Sequence, residues 1–259
     1  MSAAKSRGSA GPAVTEWTAV SSRVEGPAPH VLHVWRARTD AWWRVREADA
    51  GVLNDEELAR AAAFVQPVDR DRFVAMHGIL RRVLGDYLGM PPGEIEFRTG
   101  ALGKPHLAGS AEQSGLQFNA SRSGDWCAFA IAAGGRVGVD VERNALTDDY
   151  LTVADAFFSP AEVAILTALP RAEHERAFFD CWTRKEAMIK AVGAGLYLDL
   201  KAFDVPLDPL SRFELDLTSE ADGIGGLWTV ACGDLAPGYS GAAAMQGPMA
   251  ECLRFEWAP

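Results

Sequence analysis

Gly134-Gly135-Arg136-Val137-Gly138-Val139-Asp140-Val141-Glu142 stands near the middle of the 259-residue chain and divides it. The glycine pair reads as a turn. The strict alternation after it reads as a strand, with Val137, Val139 and Val141 on one face and Gly138, Asp140 and Glu142 on the other. On each side of this stretch the same order of elements recurs.

Before it, Val31–Arg36 reads as a strand. Asn54 or Asp55 can cap a helix reaching about Val65, and Gln66-Pro67 breaks it. A longer helix spans about Asp69–Leu88, with an apolar stripe of Phe73, Met76, Leu80, Val83, Leu84, Tyr87 and Leu88. Strands follow over 94–99, 116–121 and 126–133, with a turn-like Leu102–Leu107 between the first two. After the divide, Ser159-Pro160-Ala161-Glu162 is a capping box opening a helix. A second helix runs over about 172–192, and strands follow over 203–207, 213–217, 227–232 and 239–245.

The short strand spacings favour antiparallel pairing. The expected fold is therefore α+β: two similar lobes related by a pseudo-twofold, each an antiparallel sheet packed with helices. The expected boundaries are a disordered Ala, Gly, Ser and Pro-rich extension over 1–28, an N-terminal lobe over 29–134, a C-terminal lobe over 135–246 and a tail over 247–259.

Composition narrows the function. Hydrophobic residues make up 48% and charged residues 23%, the balance of a globular protein in water. A net charge of −10 argues against general nucleic-acid binding. No apolar run is long enough to span a membrane. Cys127, Cys181, Cys232 and Cys252 form no CxxC pair and read as reduced core residues of a cytoplasmic protein.

Two stretches carry chemistry. Asp140 and Glu142 lie about 7 Å apart on one strand face. Such a pair is either solvated or holds a cation between its carboxylates. In the helix Phe178–Lys190, a spacing of four puts Trp182, Glu186 and Lys190 in one row. Alone, Glu186 and Lys190 would be an ordinary surface pair. If the helix crosses the strand, Glu186 becomes a third carboxylate. Oxygen ligands with water and phosphate suit Mg²⁺, with Mn²⁺ as an alternative, and imply a phosphate or diphosphate substrate.

Several further segments stand in a telling order: Gly103-Lys104-Pro105, Phe118-Asn119-Ala120-Ser121-Arg122-Ser123, Gly138–Glu142, Phe157-Phe158-Ser159 with Glu162, and Trp182–Lys190 closing on Gly193-Ala194-Gly195-Leu196. With these motifs the chain resembles the 4′-phosphopantetheinyl transferases, in the larger monomeric class that activates nonribosomal peptide and polyketide synthases. The resemblance covers roughly residues 30–245 and is most specific in the pairing of GVDVE with WTRKEAMIK.

The resemblance implies Mg²⁺-dependent transfer of 4′-phosphopantetheine from coenzyme A to a serine of an apo acyl or peptidyl carrier protein, releasing adenosine 3′,5′-bisphosphate. The carriers would be domains of polyketide, fatty acid or nonribosomal peptide synthases. It implies Asp140, Glu142 and Glu186 as metal ligands and Glu186, Lys190 and Asp140 as catalytic groups. Arg60, Arg72, Lys104, Pro105, Ser121, Arg122, Lys185 and Lys190 would bind the coenzyme. Lys185 reads equally well as a solvated lysine, Glu162 is explained by its cap alone, and Trp182 reads as core packing. Arg122 replaces the family's histidine, and Ala194 stands where a lysine is common.

Overall fold

The computed structural model describes residues 6–8, 14–21, 23–40, 51–193, 199–217 and 225–258. Ala194, Gly195 and Leu196, singled out above, lie outside the described residues. In chain order the strands and helices are β1 (Ser6–Gly8), β2 (Val14–Val20), β3 (Val31–Arg38), α1 (Asp55–Ala62), α2 (Pro67–Leu88), β4 (Glu96–Thr99), β5 (Pro105–Ala108), β6 (Leu116–Ser123), β7 (Trp126–Ala133) and β8 (Val137–Arg143). Then come α3 (Tyr150–Phe157), α4 (Pro160–Ala168), α5 (His174–Val192), β9 (Arg212–Leu217), β10 (Gly226–Ala236), β11 (Tyr239–Gln246) and β12 (Glu251–Trp257).

The fold is α+β in two lobes. Among the described residues the N-terminal lobe holds a five-stranded sheet in the order β2-β12-β3-β7-β6, and the C-terminal lobe one in the order β1-β9-β10-β11-β8. Helix α2 covers the first sheet: Ile79, Leu80, Val83 and Leu84 pack with Trp35, Phe118, Phe129 and Ile131. Helix α5 covers the second, burying Phe178, Cys181, Met188 and Ile189 with Phe213, Leu215, Trp228 and Val230. The other faces of the two sheets form a third apolar cluster, where Val137, Val139 and Val141 meet Leu32, Val34, Ala128 and Ala130. The alternation in β8 thus turns its valines toward the opposite lobe and leaves Gly138 and Asp140 to helix α5. All four cysteines are free and buried. No helix among the described residues is long and apolar enough to cross a membrane.

The chain ends revise the boundaries. The segment over 1–28, expected to be disordered, contributes β2 to the N-terminal sheet and β1 to the C-terminal one, where Ser6–Gly8 pairs with Phe213–Leu215. The tail over 247–259 supplies β12, which lies between β2 and β3 and runs parallel to both. Its Phe255 packs on Trp35 with ring centroids 4.8 Å apart. Parallel pairing needs partners far away in sequence, so local pattern does not reveal it.

Residues 203–207, expected as a strand, form none. Their backbone is satisfied by side chains instead: Glu162 accepts from Val205 N at 2.7 Å, Lys185 donates to Phe203 O at 2.8 Å, and Arg184 donates to Pro206 O.

Candidate active site

The site begins with a close packing contact. A Cβ placed on Gly138 would lie 2.1 Å from the Ala187 carbonyl oxygen and 2.2 Å from Ala191 N. Only glycine lets α5 lie against β8 at this point. Gly138 leaves room on the acidic face, and what fills that room is the helix itself. Its approach carries Lys190 to Asp140.

Lys190 Nζ lies 2.6 Å from Asp140 Oδ1 and 2.9 Å from Ser121 Oγ. Ser121 Oγ in turn donates to Asp140 Oδ1 at 2.9 Å. Asp140 is 2% exposed. Burial pushes its carboxyl pKa up, while Lys190 and Ser121 pull it back. Its second oxygen, Oδ2, is buried and has no hydrogen-bond partner among the described residues.

Two further carboxylates share this field. Glu142 is raised first by burial and then by repulsion from Asp140 and Glu186, against a 2.7 Å hydrogen bond from Ser123 Oγ. Glu186 is raised by burial and by repulsion from Asp140, with Lys190 opposing. Three carboxylates and one ammonium are thus coupled at the lobe junction. Among the described residues, however, no three His, Cys, Asp or Glu side chains stand placed to hold a metal ion as a group. The expected three-carboxylate set is present as a charge cluster rather than as a closed ligand shell.

The junction is built by β6. Its alternate residues Asn119, Ser121 and Ser123 point at β8, whose outer edge has no ladder partner among the described residues. Asn119 Oδ1 accepts from Val139 N at 2.9 Å, and Ser123 Oγ accepts from Arg143 N at 3.1 Å. Side chains therefore do what a neighbouring strand would do, and the edge is closed without fusing the sheets. Sequence reading quoted all three in one motif but gave a binding role to Ser121 and none to Asn119 or Ser123. The signal was there: three short polar side chains at period two on one strand.

The remaining expected residues divide. Arg60 and Pro105 line a cleft together with Glu56, Glu57, His77, Thr99 and Phe118. His77, missed from sequence, donates from Nδ1–H to the Phe73 carbonyl oxygen at 2.9 Å, so Nδ1 carries the proton. Arg122 shares the face of β6 that carries Phe118 and Ala120, and among the described residues its guanidinium forms no ion pair.

Three others are engaged elsewhere. Arg72 pairs with Asp125 and Asp69. Lys185, 1% exposed, is closed in by Glu162 Oε2 at 2.8 Å and by the carbonyls of Leu200 and Phe203. That corrects both expectations for it, phosphate contact and solvated lysine alike: the residue faces the core. Glu162 keeps its capping box, accepting from Ser159 N at 2.7 Å, and adds the Lys185 and Val205 contacts. Lys104, expected at a nucleotide, instead gives its protons to Val137 O, Lys190 O and Ala191 O at 2.7, 2.7 and 3.0 Å. Trp182 stacks on Phe178 at an interplanar angle of 12°, as core packing requires.

Residues 136–232 match the 4′-phosphopantetheinyl transferase superfamily, and residues 33–134 match the N-terminal region of 4′-phosphopantetheinyl transferase. The chain is 38% identical to the 4′-phosphopantetheinyl transferase HetI of Nostoc sp. over 71% of its own length and 77% of the relative's. It is 31% identical to the 4′-phosphopantetheinyl transferase Sfp of Bacillus subtilis over 64% and 76%. It is 30% identical to a phosphopantetheinyl transferase of Thraustochytrium sp. over 81% and 72%.

Proposed function

The chain belongs to the 4′-phosphopantetheinyl transferase family, and from that premise we propose that it moves 4′-phosphopantetheine from coenzyme A to a serine of an apo carrier protein. The observation that carries this reading is the pairing of Lys190 with Asp140 beside Glu186 at the lobe junction.

The reaction forms a bond from the serine oxygen to the phosphorus that bears pantetheine. It breaks the diphosphate linkage, and adenosine 3′,5′-bisphosphate leaves. Glu186 takes the serine proton: it is a carboxylate whose proton affinity is raised by burial and by Asp140, as a general base near neutrality needs. Lys190 has two protons engaged, on Asp140 and Ser121, and is 29% exposed, so a third is available to the leaving phosphate. The cleft at Arg60 and Pro105 receives the nucleotide end, and Arg122 supplies a charged fork in place of an imidazole.

Mg²⁺, or Mn²⁺, fits the donors present. The unpartnered Asp140 Oδ2 is a buried anionic acceptor, and Mg²⁺ commonly binds through one or two carboxylates and completes its shell with water and substrate phosphates. Asp140 would hold the ion with Glu142 and Glu186, directly or through water. When bound, it supplies charge neutralisation of the diphosphate. A monomer in the cytoplasm, serving carrier domains of polyketide, fatty acid or nonribosomal peptide synthases and needing neither nucleic acid nor membrane, completes the reading.

The test is release of adenosine 3′,5′-bisphosphate from coenzyme A with and without apo carrier protein. Release that requires the carrier supports the proposal. Carrier-independent hydrolysis, or none across a panel of carriers, contradicts it.

A further inference from the structure

Lys104 comes from the N-terminal lobe, yet its ammonium ends in the C-terminal one. It leaves a closed turn, in which Gly100 N donates to Lys104 O at 2.8 Å and Gly103 N donates to Gly100 O at 2.9 Å. Gly103 holds φ +87°, which only glycine takes without strain. From this turn the side chain crosses to α5 and passes Gly193, where a Cβ would lie 3.2 Å from Lys104 Cδ.

Its three acceptors are informative. Lys190 O and Ala191 O belong to the last turn of α5, whose carbonyls have no partner within the helix and carry the negative end of its dipole. Val137 O belongs to the start of β8. One ammonium therefore grips both elements of the charge cluster: β8, with Asp140 and Glu142, and α5, with Glu186 and Lys190. One of its acceptors is the backbone of Lys190 itself. An ammonium has three protons, and here all three are taken. Burial, with a further push from the Arg136 charge, lowers its pKa to about 8.

We infer that Lys104 is a positioning residue for Lys190, a pin that fixes the last turn of α5 against β8, and not a contact to the nucleotide. This rests on the transfer reaction proposed above for what Lys190 does, but the pinning itself is read independently of activity.

The test uses the full chain and its five lysines, few enough for each side-chain ¹⁵Nζ resonance to be followed. In Lys104→Met the Lys190 ammonium resonance shifts or is lost to exchange with water. The Kd for coenzyme A stays within about two-fold, and kcat falls on the order of ten-fold or more. Lys104→Cys treated with 2-bromoethylamine restores the ammonium and recovers most of kcat; the four native cysteines are buried and shielded from alkylation. Should Lys104→Met not fold, Lys104→Arg carries the same comparison, because a planar guanidinium cannot meet three convergent carbonyls. An unchanged Lys190 resonance, or a ten-fold loss of coenzyme A affinity with kcat intact, overturns the inference. If the wild-type chain transfers nothing, the functional reading falls, while the Lys190 resonance still decides the role of Lys104.

Discussion

Gly138 and Ala187 meet backbone to backbone, with no space between β8 and α5 for even one methyl group. This contact sets the spacing at which Lys190 reaches Asp140. Gly138→Ala is expected to push the helix away. Overpacking of this kind costs about 1–3 kcal/mol, about 2–4 °C of melting temperature per kcal/mol in a chain of this size. Transfer should fall with it. A thermal melt and a rate on the same sample check both, and an unshifted melt would show that the contact relaxes without cost.

Glu186→Gln separates chemistry from folding. Transfer should drop on the order of 100-fold or more, the usual contribution of a general base. Stability should move the other way. The folded carboxyl pKa is raised, so its contribution to folding is fully present below the ordinary carboxylate range and is lost as pH rises through the folded value. At neutral pH the ionised group is a burden that glutamine removes. The variant should melt above the wild type at pH 7, and the gap should close toward pH 4. Mg²⁺ should raise the melting temperature of the wild type more than that of the variant. A variant that melts lower at pH 7 would contradict the assigned environment.

Glu162 and Lys185 form a buried ion pair at 2.8 Å, each 1% exposed. Burial pushes the Glu162 pKa up, and Lys185 opposes it. Lys185→Met leaves that carboxylate unpaired and should cost about 3–5 kcal/mol. Adding Glu162→Gln should recover part of the loss, as a coupled pair requires. Denaturant titrations of the two single variants and the double variant measure the coupling. Strict additivity would contradict a direct pair.

Arg122→His restores the residue usual in the family. Arg122 forms no ion pair among the described residues, so the change removes charge without stranding a partner. Stability should move within about 0.5 kcal/mol, and kcat/KM for coenzyme A should stay level or rise. Complete loss of activity would mean that this chain depends on the permanent charge of the arginine.

Much of the fold was legible because its signals are local. Strand β7 was read to the residue, and Ser159, Pro160 and Glu162 announced α4 through their capping box. What escaped depends on distant partners. Glu251–Trp257 offers short alternation between prolines, and parallel pairing with Val14–Val20 and Val31–Arg36 makes it a strand. In the candidate site, spacing set Glu186 and Lys190 in one row and Asp140 on the acidic strand face, but their roles came from the family resemblance. The partners of Lys104 and Lys185 were not legible because sequence shows a charge but not its acceptors, and both point at carbonyls that only the tertiary fold brings near.

The central claim is group transfer at the Asp140–Lys190 junction. Its most direct test is the intact mass of an apo carrier protein after incubation with this chain, coenzyme A and Mg²⁺. The account predicts a gain equal to one phosphopantetheine with the wild type and none with Glu186→Gln. No gain with the wild type over a panel of carriers, or an equal gain with the variant, would contradict it.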